Sequence, residues 1–225
     1  MSIVTAVLSS VALAEAETLN RWSICVDMQV VSIAPDATLS FVSALRGPRE
    51  SDEAFKKLQT MIESGEATLV AWPVSWARDG ETSFSETDLE LRYLSEFEPP
   101  QSPQNFGSGP EFHASPVGLL PSIDSRNSGV TLEIRPRVSL DGAWIDLGLD
   151  VQQTRFVEFR EYKVGKAYDG DPLKVQVPEF CSARTKTQMF VRSGRWNLIA
   201  AVQVPKPVQH TELFLVRATA HSIPK

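Results

Sequence analysis

The stretch from Ser125 to Tyr162, SRNSGVTLEIRPRVSLDGAWIDLGLDVQQTRFVEFREY, leaves this chain few folds to choose from. Val130, Leu132 and Ile134 alternate with Thr131, Glu133 and Arg135. After Asp141-Gly142 the alternation resumes, with Ile145, Leu147, Leu149 and Val151 set against Asp146, Gly148 and Asp150. Period two on both sides of an Asp-Gly pair predicts a β-hairpin. Aspartate and glycine suit such a turn because both tolerate positive φ, where a β-branched residue would be strained.

Upstream, Trp22 to Ile33 reads as a half-buried strand, with Ile24, Val26, Met28 and Val30 alternating with Cys25, Asp27 and Gln29. Pro35 and Asp36 open a short helix carrying Leu39, Val42 and Leu45, and Gly47-Pro48 is a stop signal. A second helix has Ser51 as N-cap, acids Asp52 and Glu53 in its first turn, and Phe55, Leu58, Met61 and Ile62 as one apolar stripe; Gly65 closes it. Strands follow over Ala67 to Trp72 and, past an Asp79-Gly80 turn, over Ser83 to Leu94. Residues 17–97 thus read as an α/β unit. Residues 98–116 are rich in proline, glycine and serine and read as a loop at the main internal boundary.

Downstream, Asp169-Gly170-Asp171-Pro172 reads as a solvated turn, since the further ligands of a calcium loop are missing. Thr185, Thr187, Met189 and Val191 alternate up to Ser193-Gly194, and Trp196 to Val204 follows. This predicts a second hairpin. Thr211 to Ala220 is apolar on both faces, which places it centrally in a sheet or between a core and lipid. The fold class expected is α+β, mainly β: an N-terminal α/β unit followed by an antiparallel, hairpin-rich β domain at 117–225.

The net charge of −6 and the scattered lysines and arginines exclude the basic stripe that nucleic acid demands. No run approaches the eighteen or so apolar residues of a membrane-spanning helix, so any membrane insertion would have to use β-strands. Residues 1–16 end in Ala14-Glu15-Ala16, a small-x-small pattern like that of a secretory leader but without its positive start. Cleavage there would begin the mature chain near Glu17; the alternative is an ordinary helix or strand using Val4, Val7, Leu8 and Val11. Cys25 and Cys181 sit in no metal-binding pattern. They read either as half-buried thiols or, after export, as a bonded pair.

Arg126, Gly129, Pro136 and Asp141-Gly142, followed by an aromatic and acidic strand with Phe156, Glu158, Phe159 and Tyr162, resemble the C-terminal domain of bacterial secretins. Those are the ring-forming outer-membrane channel proteins of type II and type III secretion and of type IV pili. The resemblance is nearest to short, divergent secretin-like proteins of planctomycetes and verrucomicrobia. More weakly, it extends over the segment from Gly65 to the proline-rich stretch, and over the strands that follow Pro178. It implies a non-enzymatic envelope component, located in the periplasm or at the outer membrane. Such a protein would transport other proteins by assembling with itself or with secretion or pilus components. It also makes Arg126, Gly129, Pro136, Asp141, Gly142, Phe156, Phe159 and Tyr162 fold and assembly residues. The family's gate segment has no counterpart, because Val202 to Val208 bridges its place in a few residues.

Nothing in the sequence points to catalysis or a cofactor. His113, His210 and His221 have no partner at metal-ligand spacing, and nucleotide and nucleophile-elbow motifs are absent. Asp146 and Asp150 read as the solvated face of the hairpin and the tryptophans as core or interface anchors. The rival readings are a monomeric β-rich binding module for a peptide or glycan and, behind it, a hydrolase using paired carboxylates. Pro136, flanked by Arg135 and Arg137, favours the binding module if it protects an exposed strand edge.

Overall fold

The structure, a computed structural model, describes residues 22–46, 51–98, 120–166, 172–205 and 209–223. The leader at 1–16, Gly47-Pro48, the body of the 98–116 stretch and Asp169-Gly170-Asp171 lie outside them. The protein is α+β and mainly β, as expected. In order come β1 (Trp22–Ile33), a 3-10 turn (Pro35–Ala37), α1 (Thr38–Arg46), α2 (Ser51–Ser64), β2 (Thr68–Ala71) and β3 (Val74–Arg78). Then follow β4 (Ser83–Glu98), β5 (Leu120–Val138), β6 (Trp144–Lys166), β7 (Pro172–Arg192), β8 (Trp196–Val204) and β9 (His210–Ser222).

Two sheets result. One has the order β2-β1-β9-β8, with β3 pairing β1 beyond β2; the other is β4-β5-β6-β7. β1 and β9 run antiparallel over their whole length, from Trp22 opposite Ser222 to Ile33 opposite Thr211. β9 is therefore a central strand, as its two apolar faces predict. The same pairing joins the expected N-terminal unit and the expected C-terminal domain in one sheet. Two compact units do exist, but they are discontinuous in sequence: Met1–Asp88, Gly129–Thr154 and Ser182–Lys225 form one, and Leu89–Ser128 with Arg155–Cys181 form the other.

The first unit has three layers. Ile24, Val26, Met28 and Val30 of β1, with Phe214, Val216 and Ala218 of β9, pack against Val130, Leu132 and Ile134 of β5 and Ile145, Leu147, Leu149 and Val151 of β6. The period-two residues of the predicted hairpin thus form half of a sheet-on-sheet core, each fully buried aliphatic contributing about 1.5–3 kcal/mol. On the other face of the first sheet, Val31, Ile33, Leu213 and Leu215 meet Phe41 and Leu45 of α1 and Ala54 and Leu58 of α2. β1 is buried on both faces from Met28 to Val31, and its register against β2 shifts within that stretch, between Val30 and Val31. The α1 stripe differs from the expected one: Phe41 and Leu45 carry it, while Leu39 is 81% exposed.

The second predicted hairpin does not form. β7 pairs in the sheet of β4 to β6, β8 pairs with β9, and Ser193-Gly194 carries the chain from one sheet to the other. Gly194 takes φ +81°, and backbone bonds run from Ser193 N–H to Ala143 C=O (2.9 Å) and from Gly194 N–H to Ala218 C=O (2.8 Å). A Ser-Gly pair supplies the tight turn either way; which strand lies alongside is decided by distant partners.

Candidate assembly surface

The sequence-derived residues fall in separate places. At the β5–β6 tip, Gly142 takes φ +73° and its N–H donates to the Ser139 carbonyl at 2.9 Å. The Trp22 indole lies where a Gly142 side chain would stand, a second reason for glycine. Asp141 contributes through its carboxylate, which accepts from the Ser139 hydroxyl (2.6 Å) and the Ala143 N–H (3.0 Å). Those bonds hold it below the ordinary 3.8, the Ser139 bond most. The tip is thus fixed by its own hydrogen bonds.

Further along β5, Gly129 lies opposite Thr154 and under β4: an added Cβ would collide with the Thr87 carbonyl and stand 2.6 Å from Asp88 Oδ1. Pro136 is buried opposite Leu147. It protects no edge, because β5 is an interior strand. Its carbonyl accepts from Gly80 N–H (2.8 Å), and two residues on, Val138 N–H donates to the buried Asp79 carboxylate (2.8 Å). The β3–β4 turn, not β4 itself, satisfies this end of β5, so a residue without an N–H is accommodated.

In the second unit, the Arg126 guanidinium sits 4.8 Å over the Phe180 ring. Phe156 lies edge-on to Phe180 (6.1 Å) and tilted against Phe159 (4.9 Å). Phe180 is the hub of this cluster and was missed; no local pattern ties it to Arg126 or Phe156, which lie on other strands. Tyr162 is half exposed and hydrogen-bonds Arg160. Arg160 also forms an ion pair with Glu179 at 2.6 Å, outside hydrogen-bond geometry, and Glu179 is the main influence that raises its pKa. Lys174 pairs with Glu161 at 2.8 Å.

On the outer face of the β5–β6–β7 sheet in the first unit, the Asp150 carboxylate accepts from Arg184 Nε (2.9 Å) and Nη2 (2.7 Å), with Lys186 3.5 Å away. Asp146 accepts from the Gln188 amide (3.0 Å). The Arg184 bond, chiefly, holds Asp150 below 3.8. Both acids occupy the face expected of them and are matched across strands. Trp72, Trp76 and Trp144 are more than half exposed, so of the two roles expected of the tryptophans, core or interface anchor, these three do not fill the first. Cys25 and Cys181 are unbonded, and burial pushes the Cys25 thiol up. Among the described residues no three His, Cys, Asp or Glu side chains could hold a metal ion, and no helix is long and apolar enough to cross a membrane.

The feature with most capacity for interaction is the pair of open sheet edges. In the four-stranded sheet the outer strands are β4, of 16 residues, and β7, of 21. In the other sheet they are β8 and, past β1, the β2 and β3 segments. β3 leads directly into β4, and β7 directly into β8.

No protein-family model and no curated protein matches the sequence. Among solved structures the chain is similar to ExeD of Aeromonas hydrophila (13% identity, 99% of this chain and 53% of that one, TM-score 0.49). It is also similar to the type II secretion system secretin GspD of E. coli K12 (10%, 96% and 54%, TM-score 0.46) and to the secretin-domain β-barrel of InvG from the Salmonella SPI-1 injectisome (12%, 98% and 69%, TM-score 0.46). The chain spans about half the length of the first two. Likeness at this level carries nothing about what this chain does.

Proposed function

We propose that this chain is a secretin-like, non-enzymatic structural protein of the bacterial envelope. It is exported to the periplasm or outer membrane, where it assembles side by side with copies of itself, or with components of a secretion or pilus-type machine, in protein transport. The observation that carries the reading is the four-stranded sheet with long open edges at both β4 and β7. A row of unpaired N–H and C=O groups of that length is a template for another strand. Head-to-tail pairing of β4 with β7 of the next copy closes into a ring when the rotation between copies closes. The chain connections bring β8 of that copy to the β3 side, so both sheets extend together.

The motif from Arg126 to Tyr162 supports the same reading and its finer form, a short divergent secretin of the planctomycete and verrucomicrobial kind, with a leader removed near Ala16. The exposed and half-exposed Arg126, Phe156, Phe159 and Tyr162 are then assembly residues; Gly129, Pro136, Asp141 and Gly142 shape the strands that present them. Absolute mass by light scattering, with mild detergent and without it, tests the proposal. A particle of many subunits is expected. A monomer in both conditions would overturn it and favour a binding module for a peptide or glycan.

A further inference from the structure

The two open edges of the four-stranded sheet differ in charge. On β4, Ser83 Oγ lies 3.0 Å from the hydroxyl of the buried Ser75, which sits opposite the core residue Val26. Ser83 therefore faces the sandwich core, and alternation turns Phe84, Glu86 and Asp88 to the outer face, where all three are exposed. On β7, Ala183, Met189 and Val191 pack on that core, which turns Arg184 and Lys186 to the same outer face, also exposed. One face of the sheet thus ends in a pair of carboxylates at its β4 edge and a pair of cations at its β7 edge.

Among the described residues no cation pairs with Glu86 or Asp88, and the β5 residue beside Asp88 is Gly129, which carries no charge. The two acids meet each other instead: the hydrogen bond to Asp88, and then its charge, raises the Glu86 pKa above the ordinary 4.5. On β7, the Asp150 carboxylate is shared by two cations, Arg184 at 2.7 Å and Lys186 at 3.5 Å, and Glu133 lies opposite Asp150, a strand further in. The groups that meet an added strand are the edge rows themselves. Strand directions fit as well. β4 descends along β5, with Asp79 bonded to Val138 and Asp88 beside Gly129; β5 and β6 are antiparallel; β7 descends along β6, with Asp146 bonded to Gln188 and Asp150 to Arg184. β4 and β7 therefore run opposite ways. A second copy set edge to edge in the same orientation lays its β4 antiparallel to β7 of the first. The two-residue spacing on both strands then lets Glu86 face Lys186 and Asp88 face Arg184 in a single register.

We infer that these four residues select head-to-tail pairing between copies, Glu86 with Lys186 and Asp88 with Arg184, over pairing of like edges. The inference rests on the assembly reading and adds what orients it. Pairing β4 with β4 sets acid against acid, and β7 with β7 sets cation against cation; like charges directly opposite destabilise a sheet. Such pairs govern partner and register more than strength.

The test is the particle mass of the full chain, by light scattering over a range of concentrations, for three variants: Glu86→Lys with Asp88→Lys, Arg184→Glu with Lys186→Glu, and all four changes together. Each double variant should need about tenfold more protein to assemble, because two attractive pairs become repulsive. The quadruple variant should assemble like the unchanged chain, and so should an equimolar mixture of the two double variants, in which they alternate. All four side chains are exposed, so circular dichroism should not change; if the β7 double variant misfolds, the β4 one and its salt dependence decide, since screening should narrow its deficit. Unaltered assembly of the β4 double variant, or no recovery in either the quadruple variant or the mixture, would overturn the inference and leave the assembly reading standing. A monomeric unchanged chain would overturn both.

Discussion

Replacing Gly129 and, separately, Gly148 with alanine puts the same methyl group into neighbouring strands with opposite expected outcomes. At Gly148 the new Cβ would stand 3.5 Å from Arg135 Cβ and from its carbonyl oxygen, ordinary contact distances. Only the backbone entropy of the unfolded chain changes appreciably, a gain of about 0.5–1 kcal/mol. At Gly129 the same gain meets the Thr87 carbonyl and the Asp88 Cα, the latter at 2.9 Å; both belong to β4 backbone and cannot rotate away. Overpacking costs about 1–3 kcal/mol, and shifting β4 off β5 loses a further ~1 kcal/mol for each ladder hydrogen bond broken. The two variants should therefore differ by about 2–4 kcal/mol. With a urea slope of roughly 2–3 kcal/mol per molar, that separates the midpoints by about 1 M, readable by circular dichroism. A Gly129→Ala midpoint at or above that of Gly148→Ala would refute the account of β4 crossing at Gly129.

Asp79→Ala leaves the Val138 N–H without its acceptor and should cost about 1–3 kcal/mol, while Asp79→Asn, which keeps an oxygen, should cost less; thermal melts rank the two. Thr211→Val should cost about 1–2 kcal/mol in the same assay, because its buried hydroxyl bonds Thr38 Oγ1 at 2.7 Å. Asp141 and Asp150 have folded pKa values below their unfolded ones, so their contribution is complete above about pH 4 and is lost as pH falls through the folded values. Urea midpoints should accordingly hold level from neutral pH to near that value and then decline, less steeply in Asp150→Asn. Arg126→Ala should reduce the mass of the assembled particle; an unchanged mass would leave Arg126 an ordinary surface residue.

Local chemistry made some of this fold legible. β1, the β5–β6 hairpin and the central position of β9 follow from alternation or from its absence, because a strand's burial is written in its own side chains. The turn glycines Gly65, Gly80, Gly142 and Gly194 all take positive φ, as a sequence reading of glycine expects. What could not be read is pairing at a distance. Ser193-Gly194 looks the same whether it joins two strands of one sheet or carries the chain between sheets. Pro136 looks like an edge device until the β3–β4 turn is seen to occupy the place of a neighbouring strand. Arg126 was singled out by its motif, but its contact, the Phe180 ring, is carried by another strand and has no sequence signal near it.

The β1–β9 ladder bears on how the chain reaches this state. The Arg217–Asp27 bond at its centre spans 190 residues, and the residues buried on both sides of it tie the helical layer to the sandwich. Loop closure over such a separation is slow and is rewarded only after the ends meet. The chain should therefore emerge from synthesis with its middle strands able to pair while β1 waits for β9. Until that ladder forms, the first sheet lacks its two central strands and cannot close.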